Sequence, residues 1–259
     1  MAIYTVGGIK GGSGKTTVAT NLTVMLASDK RDVLLVDADD QETATDFTSW
    51  RNNSMDGQAG YTAIQLTGDA VRTEVRRLAA KYDDIVIDTG GRDTTSQRAA
   101  MTVSDLYLVP FVPRSFDVWT LERVVKLIDE MRPANPKLQA FAFLNRADAG
   151  GNDNEGAADY LKDATSIRFI DLALGARKAF SNAAAEGRGV TELKRRDPKA
   201  DAEIRALYEF CLNVANNVKS NVTNDMTGDV VSNVVNNVKN NVGTSGVSGR
   251  AQRFANEEA

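Results

Sequence analysis

The 259-residue chain contains no histidine and a single cysteine, Cys211. The first absence excludes Ser-His-Asp triads, histidine general bases and His-ligated zinc. The second excludes an intrachain disulfide and leaves no set of thiolates to hold a metal cluster within one chain. Positive charge is not in excess either. The formal net charge is −4, so no global field draws in nucleic acid, and any DNA contact must come from a local basic patch. No apolar run approaches the roughly 18 residues of a membrane-spanning helix. The N-terminus, MAIYTVGG, lacks the basic region and apolar run of a signal peptide. A cytoplasmic chain is expected, with chemistry resting on carboxylates, Lys, Arg, hydroxyls and backbone amides.

Hydrophobic residues make up 42% of the chain and charged residues 25%, enough for one α/β domain with a sizeable core, alone or with an appendage. Apolar runs at 3–8, 32–37, 84–88, 106–109 and 138–144 read as buried strands. Segments of helical period fall between and after them, at 15–28, 41–52, 69–81, 94–103, 116–131 and 154–164. Strands alternating with helices predict a doubly wound, mainly parallel sheet covered on both faces, and near-continuous apolar strands suit that burial. Pro133 and Pro136 end the helix before the strand at 138, and 149–154 reads as a surface loop.

Composition shifts near residue 212, dividing the chain into an expected ATPase domain, 1–212, and a tail, 213–259. From Val214 an apolar residue returns at every fourth position (Val218, Val222, Met226, Val230, Val234, Val238, Val242), usually after Asn. A period of four advances the apolar stripe by about 40° per repeat around a straight α-helix, and Asn and Val are indifferent helix formers. The tail is expected to be low-complexity, weakly helical or disordered, or else a docked or self-associating helix, with 243–259 disordered.

The strongest motif is Lys10-Gly11-Gly12-Ser13-Gly14-Lys15-Thr16-Thr17, placed after a strand and opening a helix as a phosphate-binding loop requires. Its glycines let backbone N–H groups converge on phosphate oxygens, and the helix start adds a positive dipole end. Lys15 is positioned for the β- and γ-phosphates, Thr16 for Mg²⁺ and Thr17 for the α-phosphate. Two further strands end in carboxylates: Val33–Val36 in Asp37, Ala38, Asp39 and Asp40, and Ile85–Ile87 in Asp88 followed by Thr89, Gly90 and Gly91. In an open parallel sheet ligands sit beyond the carboxyl ends of the strands, which directs these aspartates toward the phosphate loop. Asp88 reads as a Walker B residue, holding Mg²⁺ through water.

The loop departs from the plain Walker pattern, with Ile9 in place of the first glycine and an extra lysine, Lys10. This K-G-G-x-G-K-T-T form resembles the deviant Walker A box of the ParA/MinD family of ATPases. The resemblance implies that Lys10 crosses a dimer interface to the partner's nucleotide, that Asp37 supports the metal, and that Asp39 orients the attacking water. It further implies that Gly90 and Gly91 belong to a loop sensing the γ-phosphate. The family shows D-x-D-P-Q where this chain carries Asp40 in place of proline. Asn145, at the end of its strand, either contacts adenine as in that family or supports a turn. Pro110 and Pro113 bracket a neighbouring loop.

The run from Asp171 to Phe180, followed by Ala183–Gly187 and Val190–Glu192, is similar to the family's late Arg-bearing helix and carries the resemblance to about residue 212. Around it lie Arg168, Arg177, Lys178, Arg188, Lys194, Arg195 and Arg196. ParA-type relatives bind DNA without sequence preference through basic residues here, contacts that need only cations on phosphates. These residues serve that role or are solvated charges diluted by Glu186, Glu192 and Asp197. A ParA-like ATPase is therefore expected. It would use ATP and Mg²⁺, form a homodimer with ATP, bind non-specific DNA of the nucleoid, answer to an adaptor that stimulates slow hydrolysis, and position a cargo such as a plasmid. A MinD-like membrane ATPase is the alternative, but it needs a basic amphipathic C-terminal helix. In the tail Lys219, Lys239, Arg250 and Arg253 are balanced by Asp225, Asp229, Glu257 and Glu258. A P-loop ligase acting on a small carboxylate would have no use for Lys10.

Overall fold

The computed structural model describes residues 1–150 and 152–221. Seven strands run parallel in one sheet: β1 (Ala2–Val6), β2 (Val33–Ala38), β3 (Thr62–Gln65), β4 (Asp84–Thr89), β5 (Leu106–Phe111), β6 (Gln139–Ala147) and β7 (Arg168–Gly175). Their spatial order is β3-β2-β4-β1-β5-β6-β7. The helices are α1 (Lys15–Ser28), α2 (Thr43–Ser54), α3 (Ala70–Leu78), α4 (Thr95–Met101), α5 (Val118–Met131), α6 (Asp153–Lys162), α7 (Lys178–Ala185) and α8 (Pro198–Asn221).

Side chains of a strand point alternately to opposite faces, and the core divides accordingly. Tyr4, Val6, Leu35, Val86, Leu108, Phe141 and Phe143 face α1, α7 and α8. On the other side, Ile3, Leu34, Val36, Ile85 and Ile87 face α3 and α4, while Tyr107, Val109, Ala142 and Leu144 face α5 and α6. Because β1 lies centrally, between β4 and β5, the loop leaving it opens at the middle of the sheet's carboxyl edge, between the ends of those two strands.

The doubly wound sheet agrees with expectation, and all five expected strands form. Two strands were not anticipated, and both are edges. β3 is short and half-exposed. β7 buries Ile170 and Leu174 and exposes the residues between them in part or in full, so neither shows a continuous apolar run. β7 also corrects the reading of 171–180 as helical: Asp171–Gly175 is strand, and α7 begins only at Lys178. Ile170, Leu172 and Leu174 recur with the period of two that a strand imposes. Downstream, Asp197 caps α8, its Oδ1 accepting from the Lys199 and Ala200 amides at 3.0 and 3.1 Å. The helix runs on through 212 to Asn221, with Val214 and Ala215 in the core. The Asn/Val repeat beyond 221 lies outside the described residues, as does the expected disorder of 243–259.

Candidate nucleotide site

The phosphate loop joins β1 to α1, and its backbone is glycine-shaped where it must be. Gly12 and Gly14 have φ of 73° and 86°, in the left-handed region that costs non-glycine residues energy. Gly14 precedes α1 without a side-chain cap, and the first turn carries no acidic residue. The first amides of an α-helix have no intrahelical acceptor; here nothing local competes for them, and an anion satisfies them best. They face a cavity of about 810 Å³ whose lining includes Gly11, Lys15, Thr16, Asp39, Arg92 and Arg146, a volume suited to a nucleotide-sized ligand. Thr17 also lines it. Ser13 is buried.

Lys15 is 6% exposed, and its Nζ donates to the Lys10 carbonyl at 3.0 Å. Burial lowers its pKa, while Asp88 and Asp39 pull it back up. The other lysine turns away. Lys10 Nζ lies 2.9 Å from Asp117 Oδ2, whose Oδ1 caps α5 by accepting from the Thr120 amide at 2.6 Å. Lys10 beside it, with Thr120, holds the Asp117 carboxyl down to about 2.

The aspartates take different places. Asp37 is buried and holds the loop after β2: Oδ1 accepts from the Asp39 amide at 3.2 Å, and Oδ2 accepts from the Thr45 amide and hydroxyl, both at 2.8 Å. It thereby ties the start of α2 to the loop bearing Asp39. Asp39 itself lines the cavity. A Cβ on Gly90 would sit 3.0 Å from its Oδ1, so the loop after β4 passes directly against it. Asp88 is fully buried and neither carboxylate oxygen has a hydrogen-bond partner. Burial pushes its pKa up to about 8; nearby Asp37 adds to this, and Thr16 and Lys15 oppose it.

The two buried Asp88 oxygens, with the Thr16 hydroxyl beside them, form an oxygen donor set for a hard cation. No cluster of three His, Cys, Asp or Glu able to hold a metal occurs among the described residues. A cation such as Mg²⁺ typically takes only one or two carboxylates and fills its shell with water and phosphate oxygens, so the residues present fit one that arrives with a nucleotide. Thr16 and Asp88 would hold it, and it would offset negative charge on the phosphates.

A measurable consequence follows for the nucleotide-free protein. Between an unfolded pKa of 3.8 and a folded value of about 8, the folded state binds the Asp88 proton more tightly, so this group's contribution to stability falls as pH rises through that window. Asp88→Asn is expected to flatten the pH dependence of the melting temperature between pH 5 and 8 and to raise it at pH 8, by an amount on the order of a few kcal/mol in unfolding free energy. A steeper or unchanged slope in the variant would sink this assignment.

Asn145 sits at the phosphate loop: its Nδ2 donates to the Ser13 carbonyl at 2.6 Å. Beside it Arg146, at φ 54°, donates Nη1 to the Gly12 carbonyl at 3.1 Å. The left-handed residue coincides with a register shift between β6 and β7 at Asn145–Ala147, the kind of irregularity that re-aims a side chain. Sequence reasoning missed Arg146, Arg92 and Asp117. The Asp before α5 carries a capping signal, but nothing local shows its lysine partner 107 residues away.

The basic residues do not form one patch. Arg168 begins β7, at the amino edge of the sheet, whereas Arg177 and Lys178 follow its carboxyl end, a strand length of roughly 25 Å away. Arg177 is committed to Glu203 through two hydrogen bonds, 2.9 and 2.5 Å, and Arg188 lies 3.6 Å from Glu186. Lys178, Lys194, Arg195 and Arg196 are exposed, the last three as a continuous run before α8.

A parallel sheet with a glycine-shaped anion cradle at its carboxyl edge and strand-end carboxylates around it defines a P-loop nucleotide-binding protein. The model of the CobQ/CobB/MinD/ParA nucleotide binding domain matches residues 4–190, and the chain belongs to that family. Among curated proteins, it is 28% identical over 203 residues to "Maintenance of carboxysome distribution protein A" of Halothiobacillus neapolitanus, covering 78% of this chain and 92% of that one. It is 25% identical to "Protein IncC" of Escherichia coli, covering 78% of this chain and 66% of IncC. The fold is shared with the ATP complex of a Cyanothece McdA variant (TM-score 0.67, 17% identity, 88% of this chain and 98% of that one). It is also shared with MinD of Pyrococcus horikoshii bound to Mg-ADP (TM-score 0.64, 18% identity, 84% and 98%).

Proposed function

We propose that this chain is a ParA-type ATPase that binds ATP with Mg²⁺, closes into a homodimer, holds non-specific DNA in that state and lets go on hydrolysis. The observation that carries the reading is the pair of lysines on one phosphate loop. Lys15 is buried within the cavity, while Lys10 points out of it to Asp117, where a second subunit's nucleotide can claim it. Lys15 and the amides of 11–17 would grip the phosphates, Asp39 would orient the attacking water, and Asp37 would hold the loop that positions Asp39. Asn145 would brace the loop and border the base. The exposed run Lys194–Arg196, with Lys178, supplies the cations that phosphate contacts need. An adaptor would stimulate turnover, and the cargo would be a large body to be distributed in the cell, such as a plasmid. The ATPase domain would take in α8 past residue 212, since Val214 and Ala215 pack in its core, and the protein would sit in the cytoplasm on the nucleoid.

No helix among the described residues is long and apolar enough to cross a membrane. A mobility assay on random-sequence DNA with ATP, ADP or no nucleotide, run beside size measurement of Asp39→Ala, tests the scheme. We expect an ATP-only shift, weakened about tenfold or more at near-physiological salt by neutralising Lys194, Arg195 and Arg196 together, and an ATP-bound dimer of Asp39→Ala. A monomeric Asp39→Ala with ATP bound would reject the dimer. Absence of DNA binding in every state, with ATP-dependent flotation on anionic liposomes, would reject DNA as the matrix.

A further inference from the structure

We infer that Arg92 is a phosphate-binding residue of this site, contacting the terminal phosphate of a bound nucleoside triphosphate from within the same chain; this rests on the nucleotide reading above. The loop leaving β4 is pressed onto the phosphate loop. A Cβ at Gly91 would lie 2.8 Å from the Gly11 Cα and amide nitrogen and 3.1 Å from the Lys10 carbonyl carbon, so two backbones meet here with no room for a side chain. One residue earlier, Gly90 lies against Asp39. Residue 92 therefore emerges at the rim of the cradle, and Arg92 lines the cavity with Lys15, Thr16 and Asp39.

The segment just beyond it is clamped. Asp93 receives two hydrogen bonds from Arg98, both 2.7 Å, and Arg98 also reaches Glu130 at 2.7 Å. The Thr94 hydroxyl caps α4 by accepting from the Gln97 amide at 3.1 Å. Asp93, the nearest anion in sequence, is thus engaged elsewhere. Arg92 itself is exposed and forms no ion pair among the described residues. A guanidinium presents a planar fork of donors that matches phosphate oxygens. Lys15 and the helix amides serve the inner phosphates and share the outermost one, and the rim position lies on the loop packed against Asp39, which would orient the attacking water at that outermost phosphate. Because the loop is held on Gly11 at one side and on α4 at the other, a contact at Arg92 would couple the presence of that phosphate to the loop beside Asp39.

The test compares binding of a non-hydrolysable ATP analogue and of ADP, each with Mg²⁺, to the full-length wild type, Arg92→Ala and Arg92→Lys. Arg92→Ala should weaken the triphosphate analogue about tenfold or more, the scale of one hydrogen bond to a charged group, and change ADP affinity by less than about twofold. Arg92→Lys should recover part of the loss, since it keeps the charge without the fork. An equal loss for both nucleotides, or no loss for either, would overturn the assignment. A wild type that binds neither nucleotide would instead overturn the site reading on which it rests.

Discussion

Lys10→Ala should leave the protein able to bind ATP and unable to do anything further with it. Lys10 is outside the cavity lining and paired with Asp117, so its loss removes no contact to the chain's own phosphates. What it removes, on the proposed scheme, is the charge each subunit places on the other's nucleotide. Expected are ATP affinity within about threefold of wild type, a monomer at concentrations where the wild type dimerises, and turnover reduced about a hundredfold or more, the scale of removing one preorganised charge from a phosphoryl-transfer site. Asp117 predicts the opposite sign. The Lys10 and Asp117 side chains are 37% and 39% exposed, and ion pairs that open to solvent contribute about 0.2–1 kcal/mol. Asp117→Asn keeps a capping side chain on α5 while deleting the charge. It should shift ATP-dependent dimerisation in favour of the dimer by about two- to fivefold. Sedimentation across a concentration series with ATP reads both effects. Matching losses in the two variants would mean that the pair is part of the active arrangement and not an alternative to it.

The second large effect is expected at Gly14. Its φ of 86° is open to glycine, and a Cβ would overlap the Asn145 amide that donates to the Ser13 carbonyl. Gly14→Ala therefore carries backbone strain of about 1–2 kcal/mol and displaces the side chain that braces the loop. Nucleotide affinity should fall by about a hundredfold. The two causes separate in the double variant with Asn145→Ala. Removing Asn145 relieves the overlap and leaves the strain, so the double variant should bind better than Gly14→Ala and worse than Asn145→Ala alone. Titration calorimetry with ADP is sufficient, and wild-type affinity in Gly14→Ala would show that the cradle does not depend on this geometry.

The nucleotide site was readable early because a cradle for phosphate is local. Glycines, a lysine and a helix start must be contiguous for the amides to converge, so residues 10–17 carry the pattern in order. The strand-end aspartates were readable for a related reason: parallel strands all deliver their ends to one edge, so an apolar run closing in Asp points to that edge wherever it falls in the chain. Edge strands escaped the same reasoning, because β3 and β7 have only one neighbour and one well-covered face, and their residues alternate.

By itself, then, the sequence determined the fold class, the phosphate loop and the carboxylates around it, all features encoded in contiguous residues or in strand periodicity. Tertiary structure alone decided how the charges pair. It brought Asp117 to Lys10 from 107 positions away, committed Arg177 to Glu203 and separated Arg168 from the other basic residues. It also set Gly91 on Gly11, so that Arg92 stands at the cavity rim. Charges carry no periodicity, and their partners are chosen by packing between elements distant in the chain. Which lysine grips phosphate and which is held outside the cavity is for that reason a property of the folded molecule.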